Sequence, residues 1–550
     1  MKNTETDTEF MMPKRKSRLS LIACWLIIFL VVGANLKYRH WENRYKIIYV
    51  DVLHYYAYLP ATFIHHDLSL EFIRTNNSYY SQYFWPRVLP DKKLIIMTTM
   101  GMSYMYAPFF LAVHYPLKWL GEPALGYSPP YKMALIASSI FWFALGLFFL
   151  RKLLLKYFSD FTTSLTLIIT ALATNLFYYV TDEPAMSHAY GFALFAMFIY
   201  FTDRWFEKPK FGYSLALGVL AGVIALIRPS NAVIVLILLL WGVDSFQSLG
   251  KRLGLFLRQY RMALVMVAAA ILVWVPQVLY WKYASGHYFV FTYGEKGKFF
   301  FNNPQFFRVL LGFRKGWLIY TPVMIFSIIG LIPLWKKHRN LFWPVVIFAA
   351  VNLWIVSSWW LWWYGGSYGM RALIESYAVM ALPLAAFIAW VTENRSILVK
   401  AAVAVLALVF VTHNFFQITQ YHTGAIDAIK MTREAYFASF LKRNPNTRQQ
   451  RLLVYPDYKA AEYGRYPRPS SVRDSLYSGL LDREHAVRKI EQEIRSGEES
   501  MKMMQQKALA RNVSIDSAIS IDANYLYDLK VKKGEIPANP GKFKIFDWWY

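Results

Sequence analysis

Three groups of residues in this chain combine side chains able to do chemistry with neighbours that make charge costly. The first is Tyr49-Val-Asp51-Val-Leu-His54-Tyr-Tyr56-Ala-Tyr58-Leu-Pro60. Asp51 stands there among aromatic and apolar residues. A carboxylate so placed can take a proton from a hydroxyl or amine nucleophile, with His54 and Tyr56 as substrate contacts. The plainer alternative is an interfacial aromatic belt holding one incidental acid. The second group is Asp182-Glu183-Pro184-Ala-Met-Ser187-His188. Two adjacent acids and a histidine beside a turn proline can position an acceptor or hold a divalent cation. A solvated turn is the alternative. The third group is basic. It comprises Arg228-Pro229-Ser-Asn231, the loop holding Lys296, Lys298, Arg308, Arg314 and Lys315, and the run Trp359-Trp360-Leu-Trp362-Trp363-Tyr364-Gly365-Gly366-Ser-Tyr368-Gly369-Met-Arg371. Lys and Arg pair with phosphate oxygens, Arg bidentately. Tyr364 and the tryptophans can stack on a sugar or sit at headgroup level. Together these residues suggest a site for an anionic lipid headgroup carrying a sugar. Headgroup anchoring without a specific ligand is the alternative.

Other polar residues read as structural. His65, His66 and Asp67 could be ligands but form a lone cluster, and His114, in an apolar segment, reads as a satisfied membrane histidine. Glu375 follows Arg371 by four residues, which reads as a helical ion pair. No phosphate-loop, dinucleotide-binding, HExxH or nucleophile-elbow motif stands in a credible context.

The elements that must position these groups are membrane spans. Of 550 residues, 56% are hydrophobic and only 17% charged, against roughly 25% charged in ordinary soluble domains. Uncharged runs of about 18–20 residues, enough to cross a hydrocarbon core, recur through the first three-quarters of the chain. The formal net charge of +26 would suggest nucleic acid in a soluble protein. No basic-aromatic nucleic-acid module appears, so the excess is assigned to topology and to membrane lipids or an anionic lipid substrate. The one cysteine, Cys24, excludes an internal disulfide and a cysteine metal site. The basic start resembles a signal peptide but lacks a small-residue cleavage site, and reads as an uncleaved first span.

Residues 1–18 end in Lys14, Arg15, Lys16 and Arg18 and are expected on the cytoplasmic side. The first span covers roughly 19–36. A long aromatic-rich external loop, 37–94, follows, and loops of that size are usually functional. Later runs lie near 131–150, 162–180, 185–202, 212–227, 232–247, 263–281, 317–335, 341–358, 373–391 and 397–416. Basic clusters at Arg151–Lys156, Arg204–Lys210, Lys251–Arg261 and Lys336–Arg339 then fall inside. The expected fold is an all-α polytopic membrane domain, 19–419, with about 11 crossings. A small external C-terminal region, 420–550, follows, with helices expected over 484–511 and 515–529. Residues 98–120 are apolar enough to cross, but a crossing there would invert every later cluster. That segment is expected to be re-entrant or juxtamembrane, with a normal span, giving about 12 crossings, as the alternative.

The order of these features resembles the GT-C superfamily of membrane glycosyltransferases, which includes protein O-mannosyltransferases and the lipid A aminoarabinose transferase. Tyr55-Tyr56-Ala-Tyr58-Leu59-Pro60, Ala107-Pro108-Phe109-Phe110-Leu111, Thr174-Asn175-Leu176-Phe177-Tyr178-Tyr179, Ile227-Arg228-Pro229-Ser-Asn231 and Gly316-Trp317-Leu-Ile-Tyr320-Thr321-Pro322 are similar to a Bacteroidota-type branch of it. The resemblance covers roughly 45–420. Asp51 matches the family's first-loop acid, and Asp182 or Glu183 its second. Two features depart from the pattern. Asp51 is followed by Val52 where O-mannosyltransferases carry a second acid. The Lys-Pro-Pro of the aminoarabinose branch is absent, and Lys92-Lys93 stands instead.

The resemblance implies a multi-pass protein of the bacterial inner membrane with a periplasmic site and tail. It implies transfer of a sugar from a polyprenyl-phosphate donor to a glycan, lipid or protein acceptor. Asp51 would be the base of an inverting attack, with Asp182 and Glu183 in the same site. Arg228, Arg314 and Arg371 would neutralise the departing phosphate. His54, Tyr56, His188, Lys298 and Tyr364 would line the substrate. No cofactor is required, and a divalent cation is left open. Two other classes remain: a transporter or flippase of lipid-linked sugars, and a non-catalytic membrane scaffold.

Overall fold

A computed structural model describes residues 18–75, 83–292, 297–466, 486–511, 513–533 and 535. Lys14, Arg15, Lys16 and Lys296 lie outside the described residues. The chain is an all-α, multi-pass membrane protein, and five of its described helices are long and apolar enough to cross a membrane. It divides into two compact units, one of 1–311 with 315–419 and one of 312–314 with 420–550.

The first helix, α1 (Leu19–Tyr38), has buried residues Ser20, Ala23, Cys24, Ile27, Val31 and Asn35. They recur every three or four positions, the spacing of one helical face. Ile22, Trp25 and Phe29 on the other side are 61%, 59% and 72% exposed, as a lipid-facing surface requires. Its first backbone N–H groups need partners. The distant Asp160 carboxylate supplies them, accepting from Leu19 N at 2.9 Å and Ser20 N at 3.0 Å.

Among its described residues the first loop forms a 3-10 turn, His40–Glu42, and three short helices, α2 (Asp51–Tyr56), α3 (Tyr58–Phe63) and α4 (Phe72–Thr75). A two-residue hairpin follows, β1 (Arg87–Val88) with β2 (Leu94–Ile95), in which Arg87 faces Ile95. The chain continues through α5 (Gly101–Trp119), α6 (Pro129–Tyr157), α7 (Asp160–Leu172), α8 (Leu176–Thr181), α9 (Ser187–Glu207) and α10 (Phe211–Ile227). A 3-10 segment, Pro229–Ile234, leads into α11 (Val235–Leu240), α12 (Phe246–Arg258) and α13 (Tyr260–Ser285). The unit closes with α14 (Phe306–Leu311), α15 (Trp317–Tyr320), α16 (Met324–Lys337), α17 (Arg339–Ser358), α18 (Tyr377–Asn394) and α19 (Ile397–Thr423).

Three apolar runs expected as unbroken spans are interrupted. Residues 162–180 form α7 and α8, 232–247 include the 3-10 segment before α11, and 317–335 form α15 and α16. Pro322 marks the break between α15 and α16, and Pro229 opens the 3-10 segment that extends into the second run, since a missing N–H and a fixed φ end a helix. At the third, Asn414 of α19 donates Nδ2 to the carbonyls of Leu172 at 2.8 Å and Thr174 at 2.9 Å. Tyr377 Oη donates to Asn175 Oδ1 at 2.7 Å. Non-helical backbone survives at membrane depth where neighbouring protein satisfies it in this way.

The helix ends sort into two groups. At one end, Lys156 donates to both Asp203 oxygens at 2.7 Å and meets Glu207. Tyr157 and Phe158 contact the His338 ring, and Gly242 N donates to Asn340 O. The basic clusters of α6, α9, α11–α13 and α16–α17 gather here. At the other end, Lys132 at the start of α6 donates to Asn43 O at 2.7 Å, and the start of α9 meets the end of α10 through Glu375.

Both ends of α5 contact this second end. Gly101 abuts the Leu226–Ile227 backbone closing α10. His114 Nδ1 lies 2.8 Å from Tyr131 Oη, near the start of α6.

The second unit holds a small apolar cluster of Val487, Ile490, Ile494, Met504, Ile519 and Ala523. The helical stretch expected over 484–511 is interrupted at Gly497, before the helix Glu498–Arg511. The helix Ile515–Lys532 covers the second expected stretch.

Candidate active site

Asp51 is the first residue of α2, and the residue before it is strained. Val50 has φ 48° and ψ −121°. A β-branched side chain at positive φ is an outlier, and such strain costs about 1–3 kcal/mol and clusters at functional sites. Asp51 Oδ2 lies 3.2 Å from Arg371 Nη1, with the Asp51 side chain 36% exposed and that of Arg371 13%. The acid is therefore the accessible member of the pair.

Arg371 begins a 3-10 turn after a left-handed stretch in which Tyr364, Gly365 and Gly369 have φ of 54°, 69° and 61°. Gly369 is required twice. Its φ suits glycine, and a Cβ there would approach Tyr320 Cβ to 3.0 Å and Asn175 Nδ2 to 3.2 Å. The loop thus seats on the broken α7–α8 segment, and Lys315 donates to the carbonyl of Ser367. Because the backbone turns here, the helical ion pair expected between Arg371 and Glu375 does not form. Arg371 pairs with Asp51, and Glu375 takes other partners.

Those partners come from the start of α9 and from the residue that follows α10. Glu375 Oε1 lies 3.0 Å from His188 Nδ1 and 3.4 Å from Arg228 Nη1. Gly191, one turn after His188, leaves room for it, since a Cβ there would collide with Glu375 Cγ. Arg228 also lies 5.9 Å from the centroid of the Tyr364 ring. Tyr55 is within electrostatic range of both Arg228 and Arg371. Three polar atoms in this cluster, His188 Nε2, Glu375 Oε2 and Arg371 Nε, are buried without a hydrogen-bond partner. Such groups are uncommon in folded proteins and call for an explanation.

The second acidic pair divides its work. Asp182 Oδ1 lies 3.3 Å from His40 Nε2, and its Oδ2 accepts from Thr181 Oγ1 at 2.8 Å. Glu183 Oε1 accepts from Tyr49 Oη and Tyr178 Oη, each at 3.2 Å. Burial pushes the Glu183 carboxyl above the usual carboxylate range, against the opposing pull of Arg371, Lys46 and the two hydroxyls. Burial likewise holds His54 below the usual imidazole range, opposed by Asp51.

The raised Glu183 pKa has a consequence for stability. The folded state binds this proton more tightly than the unfolded state, so the contribution is complete below the ordinary carboxylate range. It is lost as pH rises through the raised value. Glu183→Gln is expected to flatten that part of the stability profile, as read by thermal unfolding in detergent from pH 5 upward. An unchanged profile would exclude Glu183 as its source.

The structure brings together Asp51, Glu183, His188, Arg228, Tyr364 and Arg371, with Asp182 and His54 at the margin. Three expected contacts fall elsewhere. Tyr56 is fully buried, donates to Gly126 O at 2.5 Å and packs against Phe110 and Tyr127. It is a core residue, because it lies on the inward side of the short helix that presents Asp51. Arg314 belongs to the second unit, where its guanidinium donates to the carbonyls of Ile429 and Val454. Lys298 is exposed and fixes its loop through its backbone carbonyl, which accepts from Trp360 N at 3.1 Å. Among the described residues, no group of three or more His, Cys, Asp or Glu is placed to hold a metal ion.

Sequence reasoning missed His40, which meets Asp182, and read Glu375 as structural. Glu375 did carry a signal, being an acid inside an apolar run, where ionisable residues are functional candidates. The chain matches no protein-family model and no curated protein.

Proposed function

We propose that this protein is a GT-C-type membrane glycosyltransferase that moves a sugar from a polyprenyl-phosphate donor to a periplasmic acceptor. The observation that carries the reading is Asp51, partly exposed, set against Arg371 with a second guanidinium, Arg228, close by. The phosphate of the donor competes with Asp51 for Arg371 and so releases the carboxylate toward the acceptor. The acceptor oxygen or nitrogen attacks the anomeric carbon, and its proton passes to Asp51. The bond from that carbon to the phosphate oxygen breaks on the opposite face, leaving polyprenyl phosphate. The anomeric configuration inverts. Arg228 and Arg371 neutralise the charge that develops on the leaving group. No step calls for a metal ion.

The topology that goes with this reading has about 11 crossings in a bacterial inner membrane. The N-terminus is cytoplasmic, and the site and the 420–550 region are periplasmic. Support comes from the basic clusters gathered at the end away from the site, and from α5, whose two ends contact one end of the bundle. In a Cys24→Ser background, Glu122→Cys is expected to react with an impermeant thiol reagent from outside intact cells. Lys208→Cys is expected to react only after permeabilisation. The reverse pattern would overturn the sidedness.

The reaction itself is tested by purified protein in liposomes supplied with lipid-linked sugars. Release of polyprenyl phosphate with transfer to an acceptor is expected. Translocation of intact donor without release would favour a flippase instead.

A further inference from the structure

The helix α12 is unlike its neighbours, because none of its residues is buried. It is nevertheless a well-specified helix. Ser245 caps it by accepting from Ser248 N at 3.2 Å, within a reciprocal capping box. It lies at the end of the bundle opposite the candidate site, joined to α11 before it and to the membrane-length α13 after it.

Three sides of α12 can be told apart. One faces the bundle. Phe256 stacks on Trp205 with centroids 5.4 Å apart, and the Arg252 guanidinium lies 3.5 Å from the centroid of the Phe206 ring. A second is an apolar stripe of Phe246, Leu253 and Leu257, exposed by 95%, 53% and 76%. Spacings of seven and four residues put them on one face. A third carries Lys251 and Arg258, seven residues apart and both exposed. The stretch 245–262 adds Arg252 and Arg261 and contains no acidic residue.

A soluble surface has no use for so exposed an apolar stripe. A helix with one apolar and one basic face, held at the boundary of a membrane domain, is suited to the interface plane. We propose that α12 is an interfacial helix that binds anionic phospholipid. The Phe246, Leu253 and Leu257 stripe enters the acyl boundary, and Lys251 and Arg258 pair with headgroup phosphates. The occupant is fixed by two observations, the membrane-length helix continuous with α12 and the uncompensated positive charge beside the stripe. The proposal is independent of the transferase reading.

The test uses the full chain in vesicles, in the Cys24→Ser background. A spin label at Leu257→Cys is expected to be accessible to oxygen and shielded from a water-soluble nickel complex, and one at Lys251→Cys the reverse. A Leu257 label shielded from both would mean that protein covers the stripe, and a Leu257 label open to nickel would mean that water does. Either result overturns the proposal.

Charge is tested by the association of spin-labelled phosphatidylglycerol relative to phosphatidylcholine. The preference should fall by about fivefold per charge in Lys251→Gln/Arg258→Gln. A preference unchanged by that double substitution would place the anionic-lipid site elsewhere.

Discussion

Asp51→Asn is expected to lower sugar transfer by about 10²- to 10⁴-fold, the usual worth of a positioned general base, while the protein folds normally. The two halves of that expectation have separate grounds. The loss follows because asparagine keeps the shape but cannot take the acceptor's proton. The retained fold follows from exposure. The Asp51 side chain is 36% exposed and its contact with Arg371 is 3.2 Å, and ion pairs open to solvent contribute only about 0–1 kcal/mol. Thermal unfolding and turnover measured on the same preparation check both halves. Full activity would remove Asp51 as the base, whereas a melting collapse would make it a structural residue.

Glu375 is expected to behave in the opposite way. Its side chain is 3% exposed and holds two partners, His188 at 3.0 Å and Arg228 at 3.4 Å. Removing one member of a buried charged network leaves the others uncompensated, at a cost of about 3–5 kcal/mol. Glu375→Ala should therefore lower the thermal midpoint steeply. Glu375→Gln, which still offers an oxygen to His188, should lower it less. Should Glu375→Ala melt with the wild type, Arg228 and His188 would have to find other partners. Two acids in one cluster are thus separated by exposure alone, the open one reactive and the closed one structural.

The sequence revealed the two halves of the site unequally. Asp51 was legible because it is an acid among aromatics just beyond an apolar span. Arg228 and Arg371 were legible because they sit at the ends of spans where positive residues are not expected. Glu375 was misread because the four-residue rule presupposes a helix. Here the chain from Tyr364 to Gly369 takes left-handed turns before the 3-10 start at Arg371. Its actual partner, His188, is 187 residues away, and no local rule reaches that far. Tyr56 and Arg314 were misplaced for another reason. Residue type and position locate a side chain along the chain but not the direction in which it points.

The spans were legible by length and composition, but the interruptions were not uniformly so. Pro229 and Pro322 announce two of them. The break between α7 and α8 has no proline and depends on Asn414, some 240 residues later, to satisfy Leu172 and Thr174. That break shapes the site, since Tyr178 on α8 reaches Glu183 and the Gly369 turn rests on Asn175.

The central claim is transfer of a sugar at the site built around Asp51. Its most direct test compares glycans, glycolipids and glycoproteins by mass spectrometry from cells carrying the wild-type gene, the Asp51→Asn gene and no gene. The account predicts that one class of glycoconjugate loses a sugar residue, to the same extent in the second and third strains. Identical profiles in all three would contradict it.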